Sequence, residues 1–203
     1  MKALIYDIEI VKAVPKAGKL VISDIDYCAG WDDKLNMGVS CVCAYDEEEK
    51  RPRIFFEDNK EEFEDLFMRR GILVGFNNRR FDNVVLAQSG WIKDVSSAFG
   101  VVYDILELIW VNLGFDPDKF TSETHAGYGL DAVCRANKIG KKTGYGGDAP
   151  VDFQQGKYGK LVDYCMNDVW MTLQIYRKIQ RNGHIINPKN QNEVIYIEPP
   201  WNS

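Results

Sequence analysis

The sequence predicts a three-layer α/β fold, in which a mixed sheet of strands lies between helices. Two observations lead to this prediction. An apolar N-terminal segment is followed by two β-rich segments, 38–46 and 51–58, which an acidic turn joins in the pattern of an antiparallel hairpin. From residue 59 onward, strand-like and helix-like segments alternate, which is typical of strands connected by crossover helices.

Length, composition and charge limit what the chain can be. Its 203 residues, 45% of them hydrophobic, fit one domain with a large core, so we expect 1–203 to be a single domain. No apolar run approaches the roughly 20 residues of a membrane span, and the N-terminus has no signal-peptide pattern. The five cysteines include no CxxC pair, which indicates free thiols and a cytoplasmic location. The net charge of −5 argues against sequence-blind wrapping of duplex nucleic acid.

The first strand is predicted at residues 4–10, LIYDIEI, because most of its side chains are those that a core strand prefers. The next segment, 11–36, is interpreted as an irregular insertion in which Pro15 and Gly18 mark a turn. Within it, residues 20–26 have the composition of an added strand.

The remaining elements follow the hairpin in order. A helix is predicted over 59–71, because Phe63, Leu66 and Phe67 recur at helical spacing and Gly71 provides a stop. The later elements are a strand at 72–76, a helix at 80–89, a strand passing into a helix at 101–109, a helix at 129–140 with Gly140 as its stop, a long helix at 157–182, and a strand at 192–198 within a C-terminal extension, 184–203.

Two carboxylates interrupt the first strand. Asp7 and Glu9 are two residues apart, so their side chains point to the same face of the strand. Carboxylates aimed together from a core strand repel each other unless a cation or a donor lies between them. A divalent metal ion would resolve this repulsion, and an edge strand with one solvated face is the alternative.

The long C-terminal helix supplies another acid. Every fourth residue from Leu161 to Leu173 is apolar, which defines a buried ridge. Tyr164 and Asp168 also lie four residues apart, along the neighbouring ridge, so this acid is not on the solvated face. The alternative is an acid at the margin of the core with a tyrosine packed above it.

A polar elbow follows the strand at 72–76. The segment VGFNNRRFDNVVL, 74–86, leaves a buried strand through two asparagines and two arginines and then reaches Phe81 and Asp82. Strand ends in α/β sheets are where ligands bind, and this elbow offers amide and guanidinium groups to phosphates. The alternative is an ordinary loop in which Asp82 benefits from the helix dipole.

Together these segments contribute four carboxylates, a number that suits two Mg²⁺ or Mn²⁺ ions. Two such ions about 3.5–4 Å apart can activate a water and stabilise the leaving oxygen of a phosphodiester. The four acids are Asp7, Glu9, Asp82 and Asp168.

The order of DIE, GFNNRRFD and YCMND resembles the three exonuclease motifs of the DEDD superfamily of 3′→5′ exonucleases. This resemblance implies an RNase H-like fold with a mixed five-stranded sheet flanked by helices. Tyr164 stands four residues before Asp168, whereas position 163 holds Asp163 rather than histidine, so the chain is similar to the Tyr branch (DEDDy). The likeness is strongest to the editing exonuclease domain of family-B DNA polymerases and spans residues 3–180.

The resemblance also implies a role for each site residue. Asp7 would ligate both metal ions, Tyr164 would orient the attacking water, and the other three acids would complete the metal sites. For substrate binding, Phe81 would press against the terminal nucleotide and Asn77 would hold the strand. Arg80 stands where the polymerase motif has its second Asn, and a phosphate contact is its expected role. Ile10 replaces a frequent Thr, which removes one polar contact to the terminal nucleotide.

We therefore expect a metal-dependent 3′→5′ exonuclease that acts on single-stranded ends, DNA more than RNA, and releases nucleoside monophosphates. No polymerase domain fits in this length, so an editing or DNA repair role would require a polymerase or repair protein as a partner. No membrane association is expected. The alternatives are an exoribonuclease of the same fold, a catalytically silent nucleic-acid-binding module, and a structural protein whose acids are paired.

Three further features are predicted to be structural or peripheral. Asp104 and Glu107 are spaced as a helix N-cap and its capping-box partner. His125 is expected to make a local hydrogen bond or a contact on the substrate side. The loop at 139–147, IGKKTGYGG, lacks the spacing of a phosphate-binding loop and is interpreted as flexible and basic.

Overall fold

A computed structural model describes residues 2–15, 21–93, 100–144 and 146–200 of the chain. Its sheet strands are β1 (Ala3–Ile10), β2 (Val39–Asp46), β3 (Arg51–Phe55), β4 (Ile72–Gly75) and β5 (Val101–Asp104). They lie in the order β3-β2-β1-β4-β5. β1 pairs antiparallel with β2 and parallel with β4, which in turn pairs parallel with β5. The predicted mixed five-stranded sheet is confirmed.

Helices cover both faces of this sheet. They are α1 (Lys60–Arg69), α2 (Asp82–Gln88), α3 (Ile105–Asn112), α4 (Leu130–Ala136), α5 (Ala149–Gln154) and α6 (Tyr158–Asn182). The central strand β1 is buried on both sides: Ile5 packs with residues of α3, α4 and α6, and Tyr6 packs with residues of α1 and α2. Because side chains alternate along a strand, Asp7 and Glu9 share the face of Ile5 and point towards α6.

Several elements coincide closely with their predicted positions. The β2–β3 hairpin, β4 and the transition from β5 into α3 all form where the sequence predicts them. The long helix α6 ends at Gly183, which takes the left-handed conformation (φ 69°) that a glycine after a helix adopts most easily.

The strand predicted at 20–26 does not form in residues 21–26; Gly18 and Leu20 lie outside the described residues. Val21 and Ile22 are exposed, and the nearby β-pairing is an isolated bridge between Ala13 and Tyr27. The composition is that of a strand, but residues 21–26 pair with neither edge strand, β3 nor β5.

The helix α4 ends earlier than predicted, at Ala136 rather than near Gly140. The reason is Asn137, whose side-chain amide donates to the Val133 main-chain oxygen (2.8 Å) and pairs with both main-chain groups of Ile186. That asparagine ties the helix end to a second sheet, a hairpin of β6 (His184–Asn187) and β7 (Asn190–Tyr196). The sequence predicted only β7, and it missed β6 and α5.

The helix α1 ends at Arg69, and Arg70, rather than Gly71, marks the exit. Arg70 adopts an extended backbone and buries its guanidinium against Asp46 at the end of β2. Two parallel hydrogen bonds join the pair, from Nε to Oδ1 (3.0 Å) and from Nη2 to Oδ2 (2.6 Å). Such bidentate pairs fix orientation as well as charge, so this pair locks α1 to the sheet.

Replacing Asp46 with Asn is expected to lower the free energy of unfolding by about 2 kcal/mol, the size of a buried hydrogen bond to a charged group. Burial by itself would raise the pKa of Asp46, but the hydrogen bonds and charge of Arg70, together with the N–H groups of Glu48 and Glu49, outweigh it and lower the pKa. The stabilisation is therefore complete above the ordinary pKa of 3.8 and is lost as pH falls through the lower folded value.

Urea unfolding at neutral and acidic pH tests this, with Glu57→Gln as the control because its pair with Lys60 is exposed. The control is expected to change stability by no more than about 0.5 kcal/mol. Equal losses in the two variants, or an Asp46→Asn effect that does not shrink on acidification, would contradict the assignment.

Candidate active site

Asp7 and Glu9 point to the same face of β1, as their spacing predicts. Their carboxylate oxygens and the Cys165 sulfur on α6 all lie within 4.8 Å of one another. The Cys165 thiol is 3.5 Å from the Asp7 main-chain oxygen and 3.7 Å from its Oδ2. Because β1 is the central strand and Glu9 is only 7% exposed, the alternative of a solvated edge strand is wrong.

Asp82, at the end of the elbow, is the third carboxylate of the site. It is the first residue of α2, is 5% exposed, and accepts the main-chain N–H of Ile8 through Oδ1 at 3.2 Å. Ile8 lies between the two acids of β1, so this hydrogen bond fixes the third carboxylate beside them. The helix dipole favours an acid at this position, but the side chain is directed into the sheet rather than into solvent.

The fourth carboxylate, Asp168, lies on α6 with Tyr164 one turn before it, and both side chains are buried. Lys142 connects them: its ammonium donates to Asp168 Oδ2 and to the Tyr164 hydroxyl, the latter at 3.0 Å. The other oxygen, Asp168 Oδ1, is buried and makes no hydrogen bond with the described residues.

The carboxylates raise one another's pKa. Burial raises the pKa of Asp7, and the negative charges of Asp82 and Asp168 raise it further. Burial and the nearby Asp7 raise the pKa of Glu9, and burial raises that of Asp82 to about 7. Lys142 lowers each of these pKa values, and it is the one cation that the described residues place against the group. One ammonium against four carboxylates leaves the cluster short of positive charge.

These residues fit divalent metal ions. Mg²⁺ and Mn²⁺ prefer carboxylate oxygens and bind groups of acids that no protein cation neutralises. Four acids from three elements converge here, and one buried oxygen of Asp168 has an unused acceptor position. The donors are oxygen rather than nitrogen, with the Cys165 thiol as a neighbour.

Tyr6 supports the elbow from the other face of β1. Its hydroxyl donates to Asn83 Oδ1 and accepts from Asn78 Nδ2 at 2.9 Å, and all three side chains are buried. A Cβ on Gly75 would lie 2.5 Å from the Asn78 side chain, so this position requires glycine. The sequence GFNN of the second motif thus encodes a packed turn that places Asp82.

The predicted substrate-binding residues lie on the exposed side of the elbow. Asn77 adopts a left-handed backbone (φ 70°), and its N–H donates to Asp104 Oδ1 at 2.9 Å. Phe81 is half-buried and precedes Asp82. The Arg80 guanidinium is engaged by Glu107 (2.9 Å) and by Asp118 (2.8 Å), so a phosphate would have to compete with two carboxylates.

The features expected to be structural have local partners. Asp104 caps α3 by accepting from the N–H groups of Leu106 and Glu107, as predicted. The Glu107 side chain, in contrast, binds the arginines of the elbow instead of closing a capping box. His125 is buried and hydrogen-bonds locally: Nδ1 accepts from the Thr121 N–H (3.2 Å), and Nε2 therefore donates to the Asp116 main-chain oxygen (3.0 Å).

Sequence reasoning missed Lys142, because it interpreted 139–147 as a flexible basic loop. The Lys142 N–H donates to Asp131 Oδ1 at 2.7 Å, which turns the side chain inward. Gly144 packs on the Tyr164 ring so closely that a Cβ there would lie 3.0 Å from it. The available signal was a lysine between two glycines, Gly140 and Gly144. The direction in which that lysine points, however, depends on contacts between residues far apart in sequence.

No protein-family model matches the chain, and no curated protein matches it. Among solved structures, it is similar to a family B DNA polymerase from the hyperthermophilic archaeon Pyrobaculum calidifontis, with a TM-score of 0.60 and 16% identity. It is also similar to E. coli exonuclease I in complex with a 5cy-dT13 oligonucleotide, with a TM-score of 0.50 and 12% identity. These matches cover 88% and 89% of this chain, but only 24% and 40% of the matched chains.

At such low identity the likeness concerns the fold. The α/β architecture, with its mixed five-stranded sheet flanked by helices, is the RNase H-like exonuclease fold that the motifs predicted. Among the described residues, no helix is long and apolar enough to cross a membrane.

Proposed function

We propose that this chain is a metal-dependent 3′→5′ exonuclease of the Tyr branch of the DEDD superfamily. It would hydrolyse the terminal phosphodiester bond of single-stranded DNA and release nucleoside monophosphates. The observation that carries this proposal is the convergence of four carboxylates, three of them buried and that of Asp7 half-buried, on a site where Lys142 is the cation that the described residues supply. The fold shared with exonuclease I supports it.

Two Mg²⁺ or Mn²⁺ ions would be held by Asp7, between the two positions, and by Glu9, Asp82 and Asp168. Bound there, such ions supply water activation and stabilisation of the leaving oxygen in phosphodiester hydrolysis. The protein contributes the rigid placement of the acids, since Asp82 is fixed to β1 and Asp168 is fixed by Lys142.

Tyr164 would orient the attacking water. Its hydroxyl oxygen accepts from Lys142, which leaves the phenolic proton available for donation. Burial raises the pKa of Tyr164, so the proton stays on the hydroxyl at neutral pH and the residue acts as a donor rather than as a base. Attack of the water oxygen on phosphorus breaks the bond to the 3′ oxygen, which takes up a proton, and the terminal nucleotide leaves with the phosphate.

The substrate would approach over the elbow. Asn77 would hold the strand, Phe81 would contact the terminal nucleotide, and Arg80 would contact a phosphate if it exchanges its carboxylate partners. DNA is favoured because the exonuclease I structure contains a dT13 oligonucleotide. A polymerase or repair protein would be the partner of the chain in a cytoplasmic setting.

Cleavage of matched 5′-labelled DNA and RNA oligonucleotides, in Mg²⁺ or Mn²⁺ and in EDTA, tests the proposal. A ladder that shortens from the 3′ end, absent in EDTA and in Asp7→Ala, is the expected result. Faster shortening of RNA would identify the chain as an exoribonuclease. Retained binding without cleavage of either strand would overturn the catalytic assignment in favour of a silent binding module.

Tyr164→Phe is expected to lower kcat by about 10²-fold, within the range for positioned proton donors, and to leave KM nearly unchanged. The fold should be intact, because only one hydroxyl is removed. Tyr158→Phe is the matched control, since Tyr158 begins the same helix and is exposed. The measurement is the single-turnover cleavage rate of both variants. Equal losses of rate in the two variants, or no loss in either, would contradict the role assigned to Tyr164.

A further inference from the structure

An open cleft of about 760 Å³ lies beside the elbow, and two large aromatic side chains on it are exposed. Trp31 is 58% exposed and Phe120 is 62% exposed. Large apolar side chains that face water around a concave surface usually mark a binding site. We name this feature the aromatic cleft and define it by Trp31, Phe81 and Phe120, with Asn77 and Lys34 also lining it.

Phe81 lines the aromatic cleft and adjoins the carboxylate site along the chain. Trp31 packs edge-to-face on Phe81, with 6.0 Å between ring centroids. Phe81 is followed directly by Asp82, one of the four acids. A ligand whose end reaches the acids past Phe81 would therefore meet Trp31 next. Trp31 belongs to the 11–36 insertion, so this contact connects that segment to the cleft.

The opposite wall is rigid. The Phe120 ring packs on Trp110 (6.2 Å between centroids) and on His125 (5.5 Å). His125 is fixed through both ring nitrogens, and the buried Trp110 donates from its indole N–H to the His125 main-chain oxygen at 3.2 Å. Phe120 is thus an exposed ring on a preformed platform, which is favourable for stacking because little ordering remains to be done on binding.

We propose that the aromatic cleft binds the unpaired bases of the two nucleotides on the 5′ side of the scissile bond, and that Trp31 and Phe120 thereby select single strands. This inference rests on the proposed function, since it assigns the cleft to the same strand. Aromatic stacking accepts every base, because each has a π-face, but it requires a base that is not already paired and stacked in a duplex. Lys34 and Asn77 offer polar groups to the backbone of the strand.

The test uses a 5′-fluorescein oligothymidylate in EDTA, where binding is measured by anisotropy without cleavage. Trp31→Ala and Phe120→Ala are each expected to raise Kd about tenfold, the size of one lost base–aromatic stack. Tyr196→Ala is the control, because Tyr196 is 71% exposed on β7 and does not line the cleft. All three side chains are exposed, so the variants should fold.

A second oligonucleotide carries abasic residues at the second and third positions from the 3′ end and keeps every phosphate. The wild-type chain is expected to bind it about 100-fold more weakly than the intact strand, because both stacks are lost, whereas Trp31→Ala has only the Phe120 stack to lose and should weaken about tenfold. Equal losses in the two proteins, or no effect of either cleft variant, would overturn the inference. If the inference failed in this way but the wild-type chain cleaved DNA in Mg²⁺, the proposed function would still stand. If binding depended on stacking but no cleavage occurred in Mg²⁺, the inference would stand and the proposed function would fail.

Discussion

Replacement of Asp7 by asparagine is expected to slow hydrolysis of the 3′-terminal bond by about 10³-fold or more, because a bound metal contributes several kcal/mol of transition-state stabilisation. The metal-free fold should nevertheless be as stable as the wild type or more stable. Burial and the charges of Asp82 and Asp168 raise the pKa of Asp7, so its ionised form is a cost to the folded state. An amide of the same shape removes that cost.

Two measurements separate this result from simple misfolding. Melting temperatures without metal should be equal or higher in the variant, and the rise that Mn²⁺ produces in the wild type should be much smaller. A ligand at 100 times its Kd stabilises a protein by about 2.7 kcal/mol, which is readily visible in a melting curve. Asp163→Asn is the control: it removes an exposed acid beside Tyr164 and should change neither property.

If Mn²⁺ did not raise the wild-type melting temperature, the four acids would be a structural feature and the metal assignment would be wrong. If Asp7→Asn lost activity but also unfolded at a lower temperature without metal, the argument from charge repulsion would fail. This combination of readouts distinguishes a site that is maintained for function at the expense of stability from a core whose acids are simply paired.

The carboxylates were predictable because their positions follow from local periodicity. A spacing of two on a strand places Asp7 and Glu9 on one face, and a spacing of four on a helix places Tyr164 above Asp168. Both rules depend only on neighbouring residues, and the structure agrees with both. The prediction that the three segments converge came from their resemblance to known motifs, because spacing within each segment says nothing about distances between segments.

The residues that sequence reasoning missed depend on contacts distant in sequence. Lys142 reaches the site because its N–H binds Asp131, eleven residues earlier, and because the loop packs on α6. Trp31 lies in a segment without periodicity, so nothing in its neighbours indicates that it meets Phe81. The composition of residues 20–26 likewise predicted a strand, but composition does not say whether a segment meets a sheet edge, and residues 21–26 pair with neither edge strand, β3 nor β5.

Lys142→Met is the second change for which a large effect is expected. In the absence of metal, it should lower the free energy of unfolding by about 3 kcal/mol, the lower end of the range for removing one partner of a buried ion pair, because Asp168 is buried but Lys142 is only partly so. Burial by itself would lower the pKa of Lys142, but the charge and hydrogen bond of Asp168, with Tyr164 and Asp7, outweigh it and raise the pKa, so the ammonium is charged in the wild type. Without it, Asp168 is left buried among like charges.

Divalent metal should reverse much of this loss. Lys142 and a metal ion neutralise the same carboxylates, so removing the lysine should make the stabilisation by Mn²⁺ larger than in the wild type. Hydrolysis should still be slower, by about 10-fold to 100-fold, as is typical when a residue that orients a metal ligand is lost. Here Lys142 orients both Asp168 and the Tyr164 hydroxyl.

Lys141→Met is the matched control, since the neighbouring lysine is exposed and should affect neither stability nor rate. Tighter Mn²⁺ binding with slower cleavage would mean that Lys142 has two roles. It neutralises the carboxylates in the metal-free protein, and it positions Tyr164 during catalysis. Tighter binding with an unchanged rate would restrict it to the first role. Weaker binding would contradict the electrostatic assignment, because it would show that the lysine helps to assemble the site rather than competing for it.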